Sequence, residues 1–147
     1  MTKSEKAAAR FAATFNCSQA VFSAFGTGLG LTEDQCLKLG CAFGGGMARN
    51  QMTCGAVTGA LLALGLHFGR GADDPLAATG NAYEKTNRFF EEFQKRNGSI
   101  NCRELLQGLV MNDPDDMEKI RELDLFKTVC ARYVTDAVEI TEGLVNG

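Results

Sequence analysis

No charged residue falls between Asn50 and Gly69, and the middle of that stretch, Cys54 to Phe68, is apolar apart from Thr58, His67 and its glycines. It is too short and too glycine-rich to be a good membrane span. A segment apolar on nearly every face reads instead as a helix packed among other helices. Gly55 and Gly59 lie four residues apart and would let a neighbouring backbone approach closely.

The flanking sequence also carries helical signals. Ser4 is a plausible N-cap for a helix with Ala8, Phe11, Ala12 and Phe15 on one face. A second helix starts near Cys17, carries Val21, Phe22 and Phe25, and stops at the run Gly26 to Gly30. Thr32 with Gln35 forms a capping box for a helix through Cys36 and Leu39 to about Phe43. Gly44-Gly45-Gly46 breaks it. After Gly69-Arg70-Gly71, Asp74 reads as a cap with Pro75 at the first helical position, and the helix continues to about Arg96. Leu76, Tyr83, Phe90 and Phe93 lie near one stripe of it, and Glu84/Arg88, Glu91/Lys95 and Glu92/Arg96 are spaced as i,i+4 pairs. Asn97-Gly98 is a stop. A short helix from Cys102 to Gln107 follows, then a start at Asp113-Pro114. The last helix places Leu123, Phe126, Cys130, Tyr133, Ala137, Ile140 and Leu144 on one face. There is no strand-period run, internal repeat or low-complexity linker. The expected architecture is all-α: one domain over residues 1–147, with about six to eight helices around the helix near 54–68.

A chain of 147 residues can bury about two-thirds of its surface without disulfide staples. The six cysteines are therefore not needed as scaffolding. A net charge of −3 without a Lys/Arg run argues against nucleic acid as a partner. Charges recur through Met1 to Arg10, so there is no apolar core of a signal peptide. The expected location is the cytoplasm, without membrane insertion. In a reducing compartment, cysteines point to redox or metal chemistry rather than structural disulfides. A single histidine, His67, excludes catalytic zinc sets that need two or three imidazoles. At the end of its helix it reads as a residue facing the dipole rather than a ligand.

The cysteines sit at chosen places. Asn16-Cys17-Ser18-Gln19 and Asn101-Cys102-Arg103-Glu104 follow one plan: a capping Asn, Cys at the first helical position, and Gln or Glu at the third. Thr53-Cys54-Gly55 is a third version. Free N–H groups at a helix start stabilise thiolate over thiol. Cys41 lies in Gly40-Cys41-Ala42-Phe43-Gly44-Gly45-Gly46, where small neighbours give its sulfur room and the glycines could form an anion-binding nest, although a flexible break is the plainer reading. Cys130 falls within an apolar stripe, balanced between packing and ligation. Cys36 is the bystander. Arg49 and Arg70 flank the central segment and could hold an anionic group. There is no C-x-x-C and no C-x-x-C-H, so a thioredoxin-type pair, a zinc ribbon and covalent c-type haem find no support.

The order of these elements resembles the family of redox-active proteins named for the pattern C_GCAxxG_C_C. The matching pieces are Cys17 in Asn16-Cys17-Ser18-Gln19-Ala20, Gly40-Cys41-Ala42-Phe43-Gly44-Gly45, Cys54 in Cys54-Gly55-Ala56-Val57-Thr58-Gly59-Ala60, and Cys102 in Asn101-Cys102-Arg103-Glu104-Leu105. The resemblance runs from about Cys17 to Cys130. It implies that Cys17, Cys41, Cys54 and Cys102 act together, with Cys130 as a frequent companion and Cys36 outside the pattern. It keeps a haem or iron–sulfur role open.

Three functions follow as expectations. In the first, the four cysteines perform thiol–disulfide exchange or electron transfer with a redox partner, with Cys54 and Cys102 attacking and Cys17 and Cys41 resolving. In the second, Cys17, Cys41, Cys54 and Cys102, with Cys130 as a further candidate, hold zinc or an iron–sulfur cluster, and non-covalent haem stays open as a cofactor. In the third, the chain is a non-catalytic helical binding or assembly module, with a homodimer as the expected assembly since symmetric pairs are the commonest oligomers.

Overall fold

The computed structural model describes all residues, Met1–Gly147. The chain is all-α, and its one strand-like feature is an isolated antiparallel bridge between Thr53 and Asn101. The helices are α1 (Lys3–Ala12), α2 (Cys17–Gly26), α3 (Glu33–Cys41), a single turn α4 (Gly44–Met47), α5 (Gly55–Phe68), α6 (Ala77–Asn97), α7 (Cys102–Leu105), α8 (Pro114–Glu122) and α9 (Ala131–Asn146). A 3₁₀ turn, Thr27–Leu29, follows α2, and a π-helical turn, Phe126–Cys130, leads into α9.

Local signals explain most boundaries. The capping boxes Asn16/Gln19 and Thr32/Gln35 are formed, each by two reciprocal hydrogen bonds. Gly98, in the left-handed region, ends α6, and Asp113 caps α8 with Pro114 in its first turn. Four expectations are corrected. Thr2, not Ser4, caps α1, because Glu5 completes a box with it. Asp74 accepts from the Gly71 N–H (2.7 Å) and closes a turn, so α6 starts later, at Ala77. The buried stripe of α6 is Phe89 and Phe93; Leu76 and Tyr83 are 71% and 68% exposed. The three i,i+4 pairs do not form, since Arg96 instead reaches Asp136 and Glu139 on α9 and Glu92 pairs with Lys95.

Helix α2 is the most completely enclosed element: every residue after Cys17 is buried. It packs between α1, α3, α5 and α9. Small residues make this possible. A Cβ on Gly59 would lie 2.7 Å from the Ser18 carbonyl oxygen, and one on Gly40 would lie 3.0 Å from the Gln19 Cα. The close α2–α5 crossing suggested by Gly55 and Gly59 is thus present. The apolar helix α5 is central only in its first half; Gly65, Leu66 and His67 are exposed near its end. Phe89 and Phe93 stack at 5.7 Å and meet Tyr133 of α9. The buried Tyr133 hydroxyl donates to the Leu105 carbonyl at 2.9 Å, tying α9 to α7. Replacing Tyr133 with Phe should lower unfolding stability by about 1–2 kcal/mol, because it leaves that carbonyl without its donor. Urea titration of the two proteins checks this.

Candidate functional site

One cleft collects four of the six cysteines. It has a volume of about 650 Å³ and is lined by Cys17, Cys41, Cys54 and Cys102 together with Phe11, Phe15, Arg49, Met111, Met117 and Phe126. Its position follows from how three chain segments are fastened.

The first fastening is the cap of α2. Asn16 accepts from the Gln19 N–H at 2.9 Å, which sets Cys17 as the first helical residue. The same Asn16 side chain donates to the Cys41 carbonyl (2.9 Å), and Gln19 donates to the Leu37 carbonyl (2.9 Å). The pair that starts α2 therefore also seats the end of α3. Gly44 is required here, because a Cβ on it would fall 2.2 Å from the Asn16 amide nitrogen.

The second fastening is the short bridge. The Cys54 N–H donates to the Ile100 carbonyl and the Cys102 N–H to the Met52 carbonyl, both at 2.7 Å. The two cysteines thus flank one rung, Thr53–Asn101. This pairing corrects two cap expectations. Thr53 is extended, Cys54 is itself the residue before α5, and no side chain caps that start. Asn101 does not cap α7 with its side chain; its amide donates to Glu104 at 3.2 Å.

The third is a left-handed turn. Gly45, Gly46, Met47, Ala48 and Arg49 all have φ between 52° and 68°, and Gln51 has φ 54°. An L-residue costs about 1–2 kcal/mol in this conformation, so the surroundings must hold it. Gln51 does much of that: it is buried, its amide donates to the Leu109 carbonyl, and its oxygen accepts from the Met111 N–H, both at 2.7 Å. Main-chain bonds from Ala48 to Ala42 and from Gln51 to Gly45, each 3.0 Å, close the turn.

The thiols differ in acidity. The Cys17 pKa is lowered from 9.0 to about 7. The hydrogen bond with Cys54 is the largest cause; burial opposes it, and the main-chain N–H groups of Gly45, Ser18 and Cys17 itself add to the lowering. The glycine turn therefore supplies an N–H to sulfur. The Cys54 pKa is raised, first by its bond to Cys17 and then by burial. Cys102 and Cys130 are each pushed up to about 12, mainly by burial, with the Cys17 charge adding to it. The expectation that a helix start makes Cys54 and Cys102 acidic thus fails: the bond to Cys17, with burial, raises Cys54, and burial raises Cys102. All six cysteines are free thiols. Cys41 is exposed at the rim, Cys130 is half-buried behind Cys17 and Cys102, and Cys36 is buried against Gly26, away from the cleft.

These shifts fix how stability depends on pH. For Cys17 the folded state loses its proton near 7 while the unfolded chain keeps it to about 9.0, so folding is favoured increasingly between those values. For Cys102 and Cys130 the order is reversed: above 9.0 the unfolded chain ionises and the folded one does not until about 12. Stability should therefore rise from pH 7 to 9, then fall steeply, by about 2 kcal/mol for each buried thiol per 1.5 pH units. Chemical denaturation across this range under reducing conditions checks both arms.

No three Cys, His, Asp or Glu side chains stand together in an arrangement that would hold a metal ion, so the donor set does not fit the zinc or cluster expectation. Arg49 lines the cleft, whereas Arg70 lies elsewhere and donates to the Asp74 carbonyl. Sequence reasoning missed Gln51, Phe11, Phe15, Met111, Met117 and Phe126. The π-helical turn that carries Phe126 is a feature often found beside functional sites, and no residue pattern announced it.

Fold and site together define an all-α protein with a cysteine-lined cleft containing one acidified thiol. The chain belongs to the C_GCAxxG_C_C family: the family model described as "Putative redox-active protein (C_GCAxxG_C_C)" matches residues 15–144. It is also similar to an "Uncharacterized protein" of Archaeoglobus fulgidus, 28% identical over 135 residues, which span 87% of this chain and 83% of that one. No solved structure matches the chain. No helix is long and apolar enough to cross a membrane.

Proposed function

We propose that the protein performs thiol–disulfide exchange with Cys17 as the attacking thiolate and Cys54 as the resolving thiol. The observation that carries this reading is the placement of the two cysteines in one cleft, with the Cys17 sulfur packed at the start of α5 where a Cβ on Gly55, the residue after Cys54, would fall 2.3 Å from it. The neighbouring Cys54 thiol lowers the Cys17 pKa to about 7 and its own is raised. In the first step the Cys17 thiolate attacks one sulfur of a substrate disulfide. The substrate S–S bond breaks, a Cys17–substrate disulfide forms, and one thiolate leaves. The Cys54 thiol then gives up its proton, the departing thiolate or water taking it, and attacks the Cys17 sulfur. A Cys17–Cys54 disulfide forms and the second substrate thiol leaves. Two electrons have passed from the cysteine pair to the substrate. A dithiol reductant, acting by the reverse sequence, restores the pair.

This reverses the roles expected for Cys17 and Cys54, since acidity rather than position at a helix start selects the attacker. Cys41 and Cys102 line the same cleft, and in this reading they exchange with the pair afterwards. The test uses oxidised 2-mercaptoethanol, a neutral disulfide. The wild type should take up two oxidising equivalents without keeping the probe, whereas Cys54→Ala should retain one probe molecule on Cys17. A probe retained on another cysteine, or no reaction at Cys17, overturns the proposal. The same variant loses the largest cause of Cys17 acidity. The pH midpoint of Cys17 alkylation by iodoacetamide should accordingly move upward from about 7.

A further inference from the structure

We infer that the cleft is built for a small disulfide bearing a carboxylate, with Arg49 as the residue that selects it. The inference rests on the exchange reading above and adds the substrate class. Its observations are the cleft's size, its walls and its charge. About 650 Å³ suits a small molecule. Two of the cysteines sit deep, Cys54 at 6% exposed and Cys102 at 7%, with Cys17 half-buried and Cys41 at the rim. Phe11, Phe15 and Phe126 wall the approach. A small disulfide could lay its carbon chain against these rings and the thioethers of Met111 and Met117.

The chain is acidic overall, with 18 Asp and Glu against 15 Lys and Arg. Yet no Asp, Glu or Lys lines this cleft, and Arg49 is its single charged side chain apart from the thiols. Arg49 takes part in no ion pair, unlike Arg10, which meets Glu33, and Arg96, which meets Asp136 and Glu139. Its backbone is fixed by the left-handed turn, its N–H donates to the Gly44 carbonyl, and its carbonyl accepts from the Asn112 amide, both at 3.3 Å. Its side chain crosses Gly45, where a Cβ would come within 2.9 Å of the Arg49 Cγ. Arg49, exposed, without an ion-pair partner and lining an acid-free cleft, offers a planar fork that matches a carboxylate. A cationic disulfide would meet the like charge of Arg49 there.

The test measures the rate at which the Cys17–Cys54 pair is oxidised by three small disulfides: dithiodipropionate, its neutral diamide, and cystamine. Comparing rates as ratios within each protein cancels differences in intrinsic reactivity. At low salt the carboxylate-to-amide ratio should fall about tenfold in Arg49→Gln and survive in Arg49→Lys, as expected for one partly screened charge contact. Arg49→Glu should shift preference toward cystamine. Thermal unfolding of each variant confirms that the fold is kept. Ratios within twofold of wild type in Arg49→Gln overturn the inference while leaving the exchange reading intact. Failure of all three disulfides to oxidise the pair overturns both.

Discussion

Replacing Cys17 with serine should reduce disulfide exchange to the rate of an ordinary exposed thiol such as Cys41, while leaving the helix content unchanged. A hydroxyl stays protonated at neutral pH and does not attack disulfides, so the loss is chemical rather than structural. The size of the wild-type advantage can be reasoned out. At pH 7 a thiol of pKa 9.0 is about 1% ionised and one of about 7 is half ionised, a gain near fiftyfold. Lower basicity weakens each thiolate, by roughly eightfold over two units at a Brønsted slope of 0.4–0.5. The net gain from acidity is thus only about sixfold. The larger share must come from Cys54, which stands beside Cys17 and makes the second step intramolecular. Cys54→Ala should consequently lose turnover nearly as completely as Cys17→Ser while keeping a single attack. Stopped-flow thiol release from both variants separates the two contributions. Cys36→Ala should behave as wild type, since Cys36 packs against Gly26 and does not line the cleft.

The second large effect concerns the turn. Gly46→Ala should destabilise the protein by about 2–5 kcal/mol and open the cleft. Two causes add. Gly46 has φ 68°, where a Cβ costs about 1–2 kcal/mol. That Cβ would also lie 2.6 Å from the Gln51 Cα and 2.8 Å from the Cys102 Cβ. One contact is backbone and cannot rotate away, so overpacking adds about 1–3 kcal/mol. Relief requires the Gln51 segment or α7 to shift, and both carry cleft residues. Gly30→Ala is the control. It shares a positive φ, 96°, but nothing lies within 4 Å of its added Cβ. Denaturant titration of both variants should therefore show the smaller loss at Gly30, limited to the backbone cost.

Features set by local interactions were legible in the sequence. The boxes at Asn16/Gln19 and Thr32/Gln35 involve residues three apart, so their bonds are written in the sequence. The same reasoning failed at Thr53 and Asn101, because these two residues pair with each other across the chain and that bridge takes precedence over capping. It also failed for acidity: the feature that acidifies Cys17 most is Cys54, distant in sequence. The left-handed path of Met47, Ala48 and Arg49 was hidden for a related reason. These are ordinary L-residues that disfavour it, and what enforces it is Gln51 gripping Leu109 and Met111. The cysteines of the cleft could be named from their motifs, whereas its phenylalanines and methionines, brought in by α1, the segment after α7, α8 and the π-helical turn, could not.

The central claim is that two particular sulfurs form a reversible bond. Peptide mapping by mass spectrometry after equilibration in graded mixtures of oxidised and reduced dithiothreitol measures this directly. A Cys17–Cys54 linkage that appears with oxidant, disappears with reductant and leaves Cys36 free is the expected result. A Cys17 that stays a thiol at every poise, or that couples only to cysteines of another molecule, would contradict it.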